Sequence, residues 1–212
     1  MVSLQLMARK TIQFENGQKY HICNRGVEKR DIFLDNKDYL RFYQSLLYFN
    51  SKEPAVNFAF ARIQNHNPND CLVDIEAYCL LPNHYHLIVS QKRDGGVSEF
   101  MKRIGGGYTG YFNDKNNRSG VLFQGRYRCV PIESDQQYQY VFSYVNENHL
   151  VHGLKQPNEI LYTSSWHHAK KFKSRIICNN LTYHGYVKPD AVLLAKDINV
   201  RRKLFSKSNL EI

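Results

Sequence analysis

The sequence predicts an α+β fold: a ferredoxin-like split βαβ sandwich with an antiparallel sheet, an extra C-terminal helix and a basic tail. Hydrophobic residues make up 42% of the 212 residues, and 15 Tyr and 12 Phe supply large side chains for a core. Periodicity indicates the element order β-α-β-β-α-β-α, which is the order of that motif with one further helix. We expect one domain over residues 1–154 and a basic appendage and tail over residues 155–212.

The chain begins with a predicted strand and a predicted helix. Residues 20–26 are a β-prone run that Gly26 ends. Either Asp35 or Asn36 can cap the helix that follows. The apolar positions of this helix recur every three and four residues, at Tyr39, Phe42, Tyr43, Leu46 and Leu47.

A hairpin is predicted in the middle of the chain. Over residues 51–70 the spacing of the apolar residues is no longer helical, and the segment ends in turn residues. This indicates a short strand or irregular stretch and then a loop. Residues 71–81 and 84–91 are two strand-like runs, and Pro82 and Asn83 join them.

Three elements are predicted in the second half. Residues 97–113 have helical spacing, but glycines occupy positions 105–107, and each costs ~1 kcal/mol inside a helix. We therefore expect a kink or two shorter helices there. Residues 120–132 read as a strand, and residues 134–150 as a helix that starts from a Ser134 cap.

Composition excludes several classes of protein. The five cysteines are odd in number and never form C-x-x-C, which argues against a disulfide framework and a thiolate zinc site. No apolar run is long enough for a membrane span or a signal peptide, so we expect a cytoplasmic protein with no membrane partner. The net charge is +10, and residues 151–212 hold 11 basic and 4 acidic residues. Positive charge with many aromatic rings suits a nucleic acid.

Two short patterns point to chemistry. His84 and His86 share one face of a predicted strand, ~6.6 Å apart along it, and two imidazoles plus an oxygen ligand suit a divalent metal. The alternative is a pair of surface histidines. Tyr144 and Asn148 are four residues apart on the last helix, so a phenol nucleophile and an amide ligand can face one patch. Here the alternative is a boundary tyrosine with a solvated asparagine.

Four segments together resemble the single-tyrosine HUH transposases, in the branch of REP-associated tyrosine transposases. They are HICNRGVEKRDIFLDNKDYLRF, YCLLPNHYHLIV, YTGYFNDKNNRSGVLFQGRYRCVPIESD and SYVNENHLVHGL, within residues 20–154. The resemblance implies that a tyrosine attacks a phosphodiester of single-stranded or hairpin DNA and leaves a 5′-phosphotyrosine and a free 3′-OH. It also implies that the protein works as a monomer or a homodimer.

The resemblance assigns roles to four residues of this chain. Tyr144 is the expected nucleophile, and His84, His86 and Asn148 are the expected ligands of Mg²⁺ or Mn²⁺. Helices of the family often read Tyr-x-x-x-Asn-Pro, whereas His149 replaces the proline here. This departure leaves Glu147 as a competing ligand.

Further residues are candidate DNA contacts. Asn24 and Arg25 follow the first strand and can bind a phosphate or a base edge. The alternative is a turn that Asn24 and Gly26 hold. Gln124, Arg126 and Arg128 alternate along the predicted strand 120–132, so they form either a phosphate-contacting row or a solvated face. A non-catalytic binding module of ferredoxin-like fold, and a metal-dependent phosphodiesterase with water as its nucleophile, remain alternatives to the tyrosine enzyme.

The basic tail yields a prediction about salt. Deleting residues 200–212 removes four basic side chains, those of Arg201, Arg202, Lys203 and Lys207. If all four contact phosphates, the slope of log K against log salt for single-stranded DNA flattens by roughly 2–3, at about 0.7 per contact. Filter-binding titrations of the full and shortened chains measure this slope. An unchanged slope shows that the tail does not contact the DNA.

Overall fold

The computed structural model describes residues 12–53, 57–59, 70–152 and 163–164. Its strands and helices follow one another in the predicted order β-α-β-β-α-β-α. In chain order they are β1 (Lys19–Arg25), α1 (Asn36–Tyr48), β2 (Val73–Leu81), β3 (His84–Gln91), α2 (Gly96–Lys115), β4 (Arg128–Ile132) and α3 (Asp135–Val151). Most of residues 51–70, and the appendage over residues 155–212 apart from Thr163 and Ser164, lie outside the described residues, so the division at residue 154 stays a prediction.

The four strands of the described residues form one antiparallel sheet in the order β2-β3-β1-β4. This is the strand order of the split βαβ motif, and the predicted α+β class is confirmed. One face of the sheet packs against α1 and α2 and forms the aromatic core, which includes Phe33, Phe42, Tyr85, Phe100 and Tyr108. A smaller core lies between the other face and α3, and includes Ala77, Ile88, Val141, Phe142 and Val145.

Side-chain hydrogen bonds hold the ends of α1. The Asp35 carboxylate caps its first turn by accepting from the backbone N–H groups of Lys37 and Asp38. Beyond its last turn, Asn50 Oδ1 accepts from the N–H groups of Leu72 and Val73 at 3.0 Å each. Asn50 thereby joins the end of α1 to the start of β2, although 22 residues separate Asn50 from Leu72.

The predicted break at the three glycines is wrong, because α2 runs unbroken from Gly96 to Lys115. A methyl group on Gly105 or Gly106 would meet nothing within 4 Å. At Gly107 it would lie 2.6 Å from Cε2 of the buried Phe49 ring. The packing of α1 and α2 on a shared core outweighs the propensity cost of the glycines, and Gly107 admits the Phe49 ring.

The strand predicted over residues 120–132 is also too long, since β4 begins only at Arg128. Gly120 and Gly125 adopt left-handed backbone angles, with φ of +86° and +79°, and no regular strand accommodates them. The intervening loop lies beside the end of β1, where Gln124 N–H donates to the Arg25 carbonyl at 2.8 Å. Gln124 and Arg126 therefore do not alternate along a strand with Arg128.

Thr163 and Ser164 cover part of the edge of β2. Thr163 forms an isolated antiparallel bridge with Cys79, and Ser164 N–H donates to the Tyr78 carbonyl at 2.9 Å. Ser164 Oγ also donates to Asn146 Oδ1 on α3 at 2.6 Å. This short segment thus links the outer strand to the last helix. No helix within the described part of the chain is long and apolar enough to cross a membrane.

The glycines of α2 provide a test of the packing. Gly106→Ala should stabilise the protein by up to about 1 kcal/mol, because alanine favours the helix and the position is open. Gly107→Ala should be about 1–3 kcal/mol less stable than Gly106→Ala, since its methyl group overpacks against Phe49. Urea unfolding of the two variants measures the difference. Equal stabilisation by both would contradict the proposed role of Gly107.

Candidate functional site

Two histidines of β3 point away from the aromatic core. Side chains alternate along a strand, so Tyr85 enters the aromatic core while His84 and His86 face α3. Their ring centroids are 5.1 Å apart, with an angle of 82° between the planes. We call this side of the sheet the histidine face.

The turn before β3 fixes the tautomer of His84. His84 Nδ1 lies 2.6 Å from Asn83 Oδ1, and an amide oxygen only accepts hydrogen bonds. Nδ1 therefore carries the proton, which leaves the lone pair of Nε2 available to a ligand. The sequence identified Asn83 only as a turn residue.

The first strand adds a third histidine to this face. His21 and His86 are both 1% exposed, and His21 Nε2 lies 3.0 Å from His86 Nδ1. Cys23, also buried, pairs directly with His86 across the sheet. The ligand atoms of His21, Cys23 and His86 all lie within 4.8 Å of one another, so these three side chains are a second possible metal-binding set.

Burial governs the protonation of these groups. Desolvation lowers the pKa of His21 and of His84 to about 4, with a further contribution at His84 from the charges of His152 and Arg25. Desolvation first, and then the neighbouring histidines, place the pKa of His86 well below its ordinary value. All three rings are therefore neutral at pH 7, the form that binds a metal. Burial raises the pKa of Cys23 to about 12, so its thiol stays protonated.

Helix α3 brings Tyr144 to the histidine face. The Tyr144 ring is half-buried, and its centroid lies 5.5 Å from that of His86 and 6.1 Å from that of His21. The phenol plane is nearly perpendicular to both imidazoles, at 86° in each case. The structure thus places the predicted nucleophile beside one of the predicted histidine ligands. His152, which follows α3, lies 5.2 Å from His84, ring to ring.

Asn148 lies one turn beyond Tyr144 and is fully buried. Among the described residues, neither its Nδ2 nor its Oδ1 has a hydrogen-bond partner. Buried amides are normally satisfied, so this orphaned group suits a ligand such as a divalent cation. Glu147, the competing ligand that the sequence indicated, is buried as well.

Two predicted DNA contacts flank the histidines. Arg25 pairs with His84 across β1 and β3, and Arg128 pairs with Cys23 across β1 and β4. Directly paired residues share a face, so both arginines belong to the histidine face. Arg25 Nε also donates a hydrogen bond to Gln124 Oε1, which holds its guanidinium in place.

The other predicted contacts have different surroundings. Asn24 is buried; its Nδ2 donates to the Gly125 carbonyl at 3.2 Å, and its Oδ1 accepts from the Arg25 N–H at 2.9 Å. These bonds match the plain turn role considered for this residue. Gln124 and Arg126 are exposed in the loop before β4, and Arg126 lies over the Tyr127 ring at 5.5 Å.

Comparison with known proteins bears on the family and the fold of this chain. A family model described as "Transposase IS200 like" matches residues 16–148. The chain belongs to the IS200-like transposase family. The match includes the seven strands and helices named above for the described residues, apart from the last residues of α3, and it includes Tyr144, His84, His86 and Asn148.

The fold of this IS200-like transposase is similar to that of a solved structure. That structure is described as a REP-associated tyrosine transposase bound to a REP hairpin, with a TM-score of 0.52 and 14% sequence identity. The similarity covers 87% of this chain and 94% of the other. Comparison with curated proteins found no match.

Proposed function

We propose that this IS200-like transposase is a metal-dependent nuclease and strand transferase that acts on single-stranded or hairpin DNA through Tyr144. The contact of the Tyr144 ring with His86, 5.5 Å between centroids, is the observation that carries the proposal. In this contact the phenol of Tyr144 lies beside a neutral imidazole. The chain that carries it belongs to a family of transposases. The hairpin named for the structurally similar transposase supports that class of substrate.

The proposed reaction exchanges one phosphoester for another. Tyr144 Oη loses its proton and attacks the phosphorus of a phosphodiester, the bond to O3′ breaks, and the departing O3′ takes up a proton. The product is a 5′-phosphotyrosine with a free 3′-OH. Because the covalent link keeps the phosphoester, a later 3′-OH can attack it and join strands without ATP.

The residues of the site fit Mg²⁺ or Mn²⁺. His84 and His86 with Asn148 would hold the ion, because they supply two neutral nitrogens and an amide with no described partner. A phenol with a pKa of ~10 is a weak nucleophile at pH 7, and a bound ion supplies the charge that polarises the scissile phosphate. The ligand set of His21, Cys23 and His86 suits this cation less well, since hard ions prefer oxygen to a thiol.

Arg25 and Arg128 are the proposed phosphate contacts of the site. Both belong to the histidine face, in register with His84 and Cys23. Guanidinium groups bind phosphate oxygens in a bidentate manner and hold the backbone in register without reading bases. Gln124 would act by orienting Arg25, and Arg126 is proposed at the edge of the DNA path. Asn24, whose amide bonds to the backbone of Gly125 and Arg25, would shape the turn that presents Arg25. The cytoplasmic location and the monomeric or homodimeric state stay predictions.

Replacing Tyr144 by Phe tests the nucleophile. The variant keeps the ring and loses only the attacking oxygen, so it should form no covalent adduct with labelled hairpin-bearing single strands while binding them within a few-fold of wild type. Denaturing gel electrophoresis after incubation with Mn²⁺ detects the adduct. Tyr140→Phe, one turn earlier on α3, is the matched control and should keep it. Binding without an adduct in the wild type would favour the non-catalytic module.

Metal titration tests the ligands. His84→Ala and Asn148→Ala each remove one ligand, so each should raise the Mn²⁺ concentration for half-maximal adduct formation at least tenfold. Glu147→Gln keeps the shape of its buried side chain and should leave that concentration unchanged. The opposite pattern for Asn148 and Glu147 would identify Glu147 as the ligand. Full activity in EDTA would eliminate the metal mechanism.

A further inference from the structure

Among the described residues, the ring of His21 makes one hydrogen bond, and its partner is the ring of His86. The two imidazoles are within 9° of coplanar and their centroids are 5.2 Å apart, while His21 Nε2 and His86 Nδ1 are 3.0 Å apart. These values place the rings edge to edge, with one nitrogen facing the other. Among the described residues, His21 Nδ1 has no hydrogen-bond partner.

We propose that His21 is a positioning residue: it accepts the Nδ1 proton of His86 and so keeps the His86 Nε2 lone pair free for the metal. The inference rests on the proposed function, because it concerns a ligand of the proposed ion. His21 itself does not contact the ion or the substrate in this arrangement.

The direction of the hydrogen bond is tied to metal binding, because a neutral imidazole can donate or accept. Such a ring has one N–H and one lone pair, so the pair has two arrangements. If His21 donates, His86 carries its proton on Nε2 and cannot bind a metal through that atom. If His86 donates from Nδ1, its Nε2 is free. Metal binding at Nε2 therefore requires His21 to be the acceptor.

The neighbouring histidine is oriented in the same way by a different group. His84 Nδ1 faces Asn83 Oδ1, which only accepts, and so His84 also presents Nε2. Asn83 precedes β3, whereas His21 lies on β1, yet each offers an acceptor to the Nδ1 of one histidine. The two histidines are thus equivalent in tautomer although their partners are unrelated in sequence.

The geometry favours this hydrogen bond over a metal shared by His21, Cys23 and His86. Zinc binds histidine nitrogen at about 2.0–2.1 Å, so two nitrogens on one tetrahedral ion lie about 3.3 Å apart with their lone pairs converging on it, and nitrogens that face each other directly need a gap of about 4 Å. The observed 3.0 Å is the usual length of a hydrogen bond. An ion on both nitrogens would require the rings to turn away from the observed arrangement.

Nuclear magnetic resonance of the full chain labelled with ¹⁵N-histidine tests the tautomer directly. We expect His86, assigned by comparison with His86→Gln, to carry its proton on Nδ1 in the wild type. His21→Gln retains an oxygen acceptor and should keep that tautomer. His21→Phe retains the ring that packs against Tyr144 but offers no acceptor, so the Nδ1 proton should no longer be held. A wild-type His86 protonated on Nε2 would overturn the proposal.

Calorimetric titration with Mn²⁺ provides a second readout that is independent of cleavage. We expect His21→Phe to bind Mn²⁺ about 10–100-fold more weakly than wild type, and His21→Gln to restore most of the affinity. Melting temperature and metal-free hairpin binding should stay close to wild type in both variants. Equal Mn²⁺ affinity in wild type and His21→Phe would refute the positioning role, whereas a wild type that binds Mn²⁺ without forming an adduct would refute the proposed function alone.

Cobalt distinguishes the competing metal site. If His21, Cys23 and His86 bind a metal together, Co²⁺ should give a thiolate charge-transfer absorption that Cys23→Ser abolishes. Cys129→Ser, on the opposite face of the sheet, should leave that absorption unchanged. We expect no such absorption in the wild type, and its appearance would replace the positioning role of His21 with a ligand role.

Discussion

The pairing register of β1 with β3 is the constraint on which the candidate site depends. Cys23 faces His86 and Arg25 faces His84, so each histidine has a fixed neighbour on the adjacent strand. Because side chains alternate with a period of two, a slip of one residue would move both histidines into the aromatic core. β3 is held between β1 and β2, and the two-residue turn at Pro82 and Asn83 sets its start, so the register is fixed from both sides.

The site lies where the smaller core ends. Val141, Phe142 and Val145 of α3 pack on the histidine face, and Tyr144 of the same helix lies beside His86. Asn148 lies one turn further along the helix and is buried. The last turns of α3 also bury a run of polar residues, 146–149, and Asn146 bonds to Ser164 there. Burial lowers the pKa values of the imidazoles and keeps them neutral, and the polar run adds buried oxygen and nitrogen atoms to the helix that carries Tyr144.

Short-range sequence patterns were sufficient to predict most of the strands and helices. The Asp35 and Ser134 caps, the apolar spacing of α1 and the alternation of β3 are short-range features, and the structure has those elements where the sequence indicates them. The errors arose where tertiary contacts compete with propensity. Glycines 105–107 predict a break, yet packing keeps α2 in one piece. Gly120 and Gly125 have left-handed backbone angles, so the strand predicted from residue 120 begins only at β4.

The sequence by itself determined the order of the elements, the two histidines on one strand face, and the spacing of Tyr144 and Asn148 on one helix. Only the tertiary structure decided which residues accompany them. His21 lies 65 residues before His86, so the sequence does not indicate their contact. The sequence likewise indicates Asn83 only as a turn residue, whereas in the structure its side-chain oxygen lies beside His84 Nδ1. The physical reason is that periodicity reports which face a side chain occupies, whereas hydrogen bonds across a sheet depend on a register that joins segments distant in the chain.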